Sequence, residues 1–205
     1  YNLELNESGK IHGTISTNLF DYAAYDCRKD IEEYTTVEDY IRNKESTYAG
    51  FHIDEYEIEN IDSILKPVQI KYKVNFQNNA NVISNKIYVN PLFLNKIEDN
   101  PFKIPERKYP VDFIYPINKT FVLNLTIPEG YEVSALPEAS KVDLPGNKGS
   151  FYCSAKVNSQ QINYTYKFEI KDPIILPNEY QYLQQFYELL VAKHSEMIVL
   201  KKIGS

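Results

Sequence analysis

Apolar and polar residues alternate in several segments of this chain, and a period of two is typical of a β-strand with one buried face. The alternation covers residues 69–76 in the N-terminal half and residues 121–127, 151–157 and 162–170 in the C-terminal half. Strands with one wet and one dry face occur mainly in antiparallel sheets. The pattern therefore predicts a mainly β fold, an antiparallel β-sandwich of immunoglobulin-like or larger type.

The apolar spacing changes to the helical period in two places. Near the start, it predicts two short helices between residues 21 and 46, the first with Phe20, Ala24, Cys27 and Ile31 on one side. Thr36, with Asp39 three residues later, resembles a capping box for the second helix. Near the end, Asn178 is the predicted N-cap of a longer helix with one apolar face, which consists of Leu183, Phe186, Leu190 and His194.

Local breaks in the pattern predict turns and boundaries. A hairpin is expected around residues 6–9, and the change of phase between Ile53 and Tyr56 predicts a β-bulge. Residues 82–89 are expected to form one strand. Residues 90–110 contain prolines and mixed charge without a clear period, so the chain is predicted to be one β-rich module, 1–205, with an internal boundary near 90–110 as an alternative. That boundary would separate an N-terminal lobe, 1–95, from a C-terminal sandwich lobe, 96–205.

Composition and charge narrow the class of partner. The chain has 18 Tyr and 10 Phe but no Trp, and tyrosine favours strands. The formal net charge of −6 argues against nucleic acid as the main partner, because such binding needs a basic face. No apolar run approaches the ~18 residues that a membrane-spanning helix requires, so no transmembrane segment is predicted.

The residue types that could form a nucleophilic site are few. A catalytic thiol needs a neighbouring histidine that lowers its pKa, and the chain offers Cys27 and Cys153 with His12, His52 and His194. Each cysteine lies on a predicted apolar face, where a small core residue is expected. The histidines have no metal-ligand spacing, so we predict no catalytic residue, no metal site and no cofactor.

Carboxylates and tyrosines leave two further interpretations open. A hydrolase could use two carboxylates from the acidic stretches at residues 30–39 and 54–59, although solvated faces explain both stretches more simply. Tyr109, Phe113 and Tyr115 could form a surface that binds a glycan or a peptide. Packing in the core is the simpler explanation for these three rings.

Short motifs occur along nearly the whole chain. They include Leu3-X-Leu5, residues 9–13, Tyr22-X-Ala24, Arg28, Asn100-Pro101-Phe102, residues 106–113, residues 127–131, Leu136-Pro137, Tyr180, Leu183, Phe186-Tyr187, residues 191–193 and residues 198–202. Together they resemble the C-terminal domain, of unknown function, of exported bacterial transglutaminase-like proteins. The catalytic Cys, His and Asp of that family belong to a separate papain-like core, and no position here matches them.

The resemblance implies a non-catalytic accessory domain that follows and supports a transglutaminase-like core of the same polypeptide, with a protein or peptide as the substrate. It also implies a periplasmic or cell-surface location. Two alternatives remain: a stand-alone glycan- or peptide-binding β-sandwich module, and a hydrolase with an unrecognised carboxylate pair.

Overall fold

Fourteen strands and three α-helices make up residues 1–204, the part of the chain that the computed structural model describes. The strands are β1 (Asn2–Leu5), β2 (Ile11–Leu19), β3 (Phe51–Glu59), β4 (Val68–Phe76), β5 (Ala80–Ile83), β6 (Lys86–Val89), β7 (Val111–Asp112), β8 (Ile117–Thr126), β9 (Tyr131–Ala135), β10 (Ser140–Leu144), β11 (Gly149–Asn158), β12 (Gln161–Ile170), β13 (Ile174–Ile175) and β14 (Ile198–Lys202). The helices are α1 (Asp21–Glu32), α2 (Val37–Thr47) and α3 (Tyr180–His194). Short 3₁₀ turns lie at Phe93–Asn95, Pro145–Asn147 and Pro177–Glu179.

The strands form one large and two smaller sheets. The eight-stranded sheet has the order β10-β11-β12-β8-β1-β2-β4-β3, the four-stranded sheet has the order β5-β6-β14-β9, and β13 pairs with β7. Neighbouring strands are antiparallel except for β1 and β8, which run parallel where Asn2–Glu4 lies beside Asn124–Thr126. This architecture confirms the predicted mainly β class and is consistent with a β-sandwich.

One face of the eight-stranded sheet is buried across its central strands. Leu3 lies opposite Gly13 and Leu125, Gly13 lies opposite Val74, and Leu125 lies opposite Ile162, so these residues share a face. The four larger side chains among them are at most 1% exposed. The other face carries mainly polar side chains, and we call it the open face.

The helices cover parts of the buried face. Helix α1 buries Ala24, Cys27 and Ile31, and α3 places Phe186 against Phe151 of β11 and Phe168 of β12, with ring centroids 5.4 and 6.2 Å apart. Buried residues of all three helices and of the two larger sheets belong to one hydrophobic cluster. The apolar face predicted for α3 is confirmed, since Leu183, Phe186, Leu190 and His194 are all buried.

Gly13 is required where β1 passes β2. Its φ is +148°, and a Cβ built there would lie 2.2 Å from the carbonyl oxygen of Asn2. Any side chain would therefore push β1 away from the middle of the large sheet.

Several local predictions are confirmed. The opening hairpin forms between β1 and β2, and the bulge lies in β3 between Ile53 and Glu55. The two early helices are present, and the Thr36 side chain accepts a hydrogen bond from the backbone N–H of Asp39 at 3.2 Å. Phe20, predicted to lie on the apolar side of the first helix, instead precedes it in an extended conformation and is 61% exposed.

Two further local predictions are wrong. Residues 82–89 form two strands, β5 and β6, because the chain turns at Ser84 with a φ of +55°. Asn178 is not the cap of the last helix, since it lies inside the 3₁₀ turn that precedes Tyr180. Instead, the Glu179 carboxylate accepts from the backbone N–H of Leu176 at 2.9 Å.

The segment 90–110 contains one 3₁₀ turn and is hydrogen-bonded to α3. The Asn90 side chain donates to the carbonyl oxygen of His194 at 2.7 Å, and that of Asn100 donates to the carbonyl oxygen of Gln184 at 3.0 Å. The Gln184 amide in turn donates to the carbonyl oxygen of Phe102 at 2.9 Å. Strands from both sides of this segment lie in the same eight-stranded sheet.

Candidate functional site

Both thiols lie in the core. Cys27 is 7% exposed and Cys153 is 1% exposed, and neither forms a disulfide. Burial raises the pKa of both thiols, because a thiolate is poorly solvated among apolar side chains. A nucleophilic cysteine needs the opposite shift, so the prediction that both cysteines are core residues is confirmed.

The three histidines occupy different environments. His194 is 1% exposed at the end of α3, and burial, together with the nearby Lys96 ammonium, lowers its pKa to about 4. His12 and His52 lie on the open face, where both are directly opposite Asn75 of β4. The structure thus brings together two histidines that are 40 residues apart in the sequence.

A polar cleft surrounds these two histidines. The bulge in β3 directs Asp54 toward Asn75, whose amide donates to the Asp54 carboxylate at 2.5 Å. The cleft has a volume of about 380 Å³ and is lined by Asn6, Lys10, Ile11, His12, His52, Asp54, Asn75, Phe76 and Gln77. Asp54 is the single carboxylate among these described lining residues, whereas a glycosidase uses two. Within residues 1–204, no cluster of three or more His, Cys, Asp or Glu side chains is placed to hold a metal ion.

Other carboxylates of the acidic stretches make contacts on the surface. Glu55 pairs with Lys73 at 2.9 Å and Glu57 with Lys71 at 3.3 Å, across β3 and β4. All four side chains are more than half exposed. These carboxylates belong to a solvated face of the sheet.

The three aromatic residues predicted as a binding surface are not brought together as one platform. Tyr109 is 79% exposed, while Phe113 is half-buried and contacts Phe102 edge to face at 6.2 Å between ring centroids. Tyr115 instead contacts a residue of α1. Its ring stacks on Tyr22, with centroids 4.5 Å apart and planes 4° from parallel.

The Tyr115 ring is also held by its hydroxyl group, which donates to the Asp26 carboxylate one turn after Tyr22 on α1. This hydrogen bond raises the pKa of the Tyr115 hydroxyl, because the neighbouring carboxylate disfavours the phenolate. Tyr22 and Ile31 are nine residues apart, which at about 100° per residue places them on opposite sides of α1. The stack therefore lies on the side of the helix that faces away from the core.

Ile114, just before Tyr115, has an unusual backbone conformation. Its φ is +71°, and the N–H of Tyr115 donates to the carbonyl oxygen of Phe113 at 2.8 Å, which makes a γ-turn with positive φ at its centre. The Asp112 carboxylate supports the turn by accepting from the N–H of Ile114 at 2.7 Å. A β-branched residue in this region is strained, and strained turns are found preferentially at functional sites. The Ile114 side chain is 81% exposed.

Arg28 fixes a second loop beside α1. Its guanidinium donates to the carbonyl oxygens of Asn60, Ile61, Ser63 and Lys66 at 2.8–3.0 Å. These bonds hold the loop of residues 60–67, whose tip carries two exposed aliphatic side chains, Ile64 and Leu65. Leu65 is 99% exposed.

Helix α1 and these two loops thus display several large apolar side chains. We name them the α1 surface, which comprises the half-buried Tyr115 and the exposed Phe20, Tyr22, Tyr25, Ile64, Leu65 and Ile114. Both loops are hydrogen-bonded to α1, one through Arg28 and the other through Asp26. Exposed apolar groups on elements that are attached to one another are often found at protein interaction sites. Of the predicted binding residues, Tyr115 belongs to this surface.

No helix within the described part of the chain combines the length and apolar character needed to cross a membrane.

Comparisons with known proteins identify a family. A crystal structure described as that of a "putative protease" from Parabacteroides distasonis ATCC 8503 aligns with 48% of this chain and 19% of that chain, at 12% sequence identity and a TM-score of 0.42. No curated protein matches the chain. The family model described as "Domain of Unknown Function with solved-structure structure (DUF3858)" matches residues 85–200, which is more than half of the chain. The chain therefore belongs to the DUF3858 family of domains of unknown function.

Proposed function

We propose that this chain is a non-catalytic accessory domain that packs against a transglutaminase-like core of the same polypeptide. The observation that carries the proposal is the α1 surface, where Tyr22 and Tyr115 stack on the outside of the molecule. Tyrosine is enriched at protein interfaces because its ring offers apolar area and its hydroxyl a hydrogen bond. Such a surface is suited to burial against a neighbouring domain.

The role proposed for this domain is to shape the active-site cleft of the transglutaminase-like core or to hold that core in position. The cleft of a transglutaminase-like core that admits a protein or peptide substrate can be shaped by a rigid neighbour, and a β-sheet domain with a fixed surface can be that neighbour. The buried thiols Cys27 and Cys153, with their raised pKa, are suited to packing inside this domain. The reactive groups would therefore come from the transglutaminase-like core.

The proposal is tested in the full polypeptide by removing residues 1–205 and measuring thermal stability and amide-transfer or amide-hydrolysis activity. We expect both to fall. Equal activity and equal stability with and without these residues would refute the proposed role.

A matched pair of point variants refines the test. Tyr25→Ser removes an exposed ring from the α1 surface and leaves the Tyr22–Tyr115 stack intact, and Tyr182→Ser removes a comparably exposed ring from α3. We expect the first variant to lower the melting temperature or the activity of the full polypeptide, and the second to change neither.

A periplasmic or cell-surface location is part of the same proposal. Cell fractionation followed by detection of the native protein tests it, and recovery in the cytosolic fraction alone would contradict it.

The exposed tyrosines also support a second candidate, a stand-alone module that binds glycans or peptides through the outer faces of Tyr22 and Tyr25. A ligand that binds the folded state raises the melting temperature. Cellohexaose and chitohexaose are suitable glycan probes. A shift with the native chain that disappears in Tyr22→Ser would favour this candidate.

A further inference from the structure

The charges around the α1 surface are mainly negative. The segments 20–32, 60–67 and 112–116 together contain six carboxylates and three cationic side chains. Of the carboxylates, Asp21, Asp30, Glu32, Asp62 and Asp112 are exposed and Asp26 is half-buried. One of the cations, Arg28, is already bound by four backbone carbonyl oxygens. The apolar rings are thus bordered by carboxylates.

The rings and the carboxylates are also close to each other. Asp26 follows Tyr22 by one helical turn and holds the Tyr115 hydroxyl group through Oδ2. A cation that approaches the outer face of the Tyr22 ring would therefore meet both a π-face and a nearby carboxylate. Arginine interacts well with both groups, because its guanidinium stacks on aromatic rings and pairs with carboxylates.

The surface is held in place before any partner arrives. Four hydrogen bonds from Arg28 hold the 60–67 loop, and the γ-turn at Ile114 holds the other loop. Binding to an ordered surface avoids the entropic cost of fixing mobile loops. This favours a folded partner with a complementary surface of its own.

We infer that the partner of the α1 surface is a folded protein surface with an apolar centre and a border of arginine or lysine, one of which stacks on Tyr22 or Tyr25. The inference rests on the proposed function, in which this partner is the transglutaminase-like core of the same polypeptide. Charge complementarity selects this chemistry, since apolar side chains meet apolar side chains and the carboxylates meet cations.

Photo-crosslinking in the full polypeptide tests the inference. A benzophenone amino acid replaces Tyr25, which is exposed on α1, and the same replacement at Tyr182 on α3 is the control. After irradiation, proteolysis and mass spectrometry identify the attached segment. We expect Tyr25 to give a crosslink to an apolar segment that contains arginine or lysine, and Tyr182 not to give it.

Charge reversal supplies a second readout. Asp30→Lys places a cation on the border of the α1 surface, and Glu129→Lys makes the same change in the exposed turn before β9. We expect the crosslinking yield from position 25 to fall about threefold or more with Asp30→Lys, the order of effect of a surface ion pair, and to stay constant with Glu129→Lys. Circular dichroism should show that both variants keep the native fold.

The outcomes separate this inference from the proposed function. A crosslink to the core at a segment without arginine or lysine, with no effect of Asp30→Lys, would overturn the inference and leave the proposed function standing. A crosslink to a basic surface of a different protein would support the inferred chemistry and refute the same-polypeptide core. No crosslink from position 25 would overturn both.

Discussion

The buried His194 makes the stability of the domain depend on pH. Its Nδ1 atom accepts a hydrogen bond from the backbone N–H of Ile97 at 2.9 Å, so in the neutral ring the proton is on Nε2. Protonation would add a hydrogen to Nδ1, so that this N–H would point at the N–H of Ile97. The charged ring would also lie beside the Tyr166 ring, with the two ring centroids 4.9 Å apart. The Lys96 ammonium disfavours the added charge further. The native state therefore keeps this imidazole neutral down to about pH 4.

The magnitude follows from the pKa of about 4 in the folded chain and an ordinary value of 6.5. The difference between these two values corresponds to about 3 kcal/mol, at about 1.4 kcal/mol for each pH unit. Between these two pH values the unfolded chain binds the proton and the native chain does not, so acid favours unfolding. The stability from the neutral ring is complete above about pH 6.5 and is lost as the pH falls toward 4.

Urea unfolding of the native chain and of His194→Asn, at pH 7.5 and pH 4.5, measures this effect. An asparagine side chain can still accept a hydrogen bond from the Ile97 N–H but does not titrate. The stability that the variant loses through poorer packing should therefore be nearly the same at both pH values. We expect the native chain to lose about 2 to 3 kcal/mol more than the variant on acidification. Equal losses, or a titration of His194 near pH 6.5 by NMR, would refute this reasoning.

Three further predictions concern the backbone and the α1 surface. Gly13→Ala should lower the free energy of unfolding by more than about 2 kcal/mol, because the added Cβ would clash with the Asn2 carbonyl. Gly130 has open space around it, so the control Gly130→Ala should lower the free energy of unfolding by about 1 kcal/mol or less. Arg28→Lys should cost about 2 to 3 kcal/mol, since an ammonium cannot reproduce the geometry of the four guanidinium bonds. Ile114→Gly should raise the free energy of unfolding by about 1 kcal/mol by relieving the strain at positive φ, and an unchanged or lower value would contradict the assignment of strain there. Urea unfolding at neutral pH measures all three.

Features that depend on residues close together in the sequence were predictable from it. Alternation identifies β4, β8, β11 and β12 because each strand buries one face, and the change of phase near Ile53 marks the bulge. The spacing of Tyr22 and Tyr25 relative to the buried Ile31 also indicates an exposed aromatic face on α1, opposite the apolar stripe.

Features that depend on strand pairing were not predictable. His12 and His52 meet at Asn75 only because β2 and β3 pair with opposite edges of β4 in one register. Tyr22 and Tyr115 are 93 residues apart, and no local pattern indicates that they stack. The turn between β5 and β6 contains neither Gly nor Pro, and Ser84 adopts the positive φ instead, so the sequence pattern predicts one continuous strand there.

The parallel pairing of β1 with β8 has a consequence for how the chain folds and how it can be divided. It connects residues more than 120 positions apart, and the Asn124 side chain also donates to that of Asn2 at 2.8 Å. Contacts between such distant parts of a chain close large loops and slow folding. A polypeptide cut to residues 85–200, the range of the family match, would keep β8 and its neighbour β12 but lose β1 from the other edge of β8. The unpaired backbone N–H and C=O groups along that edge of β8 would be free to pair with other chains, which promotes aggregation. The β1–β8 pairing therefore predicts that the cooperative folding unit is larger than the region that defines the family.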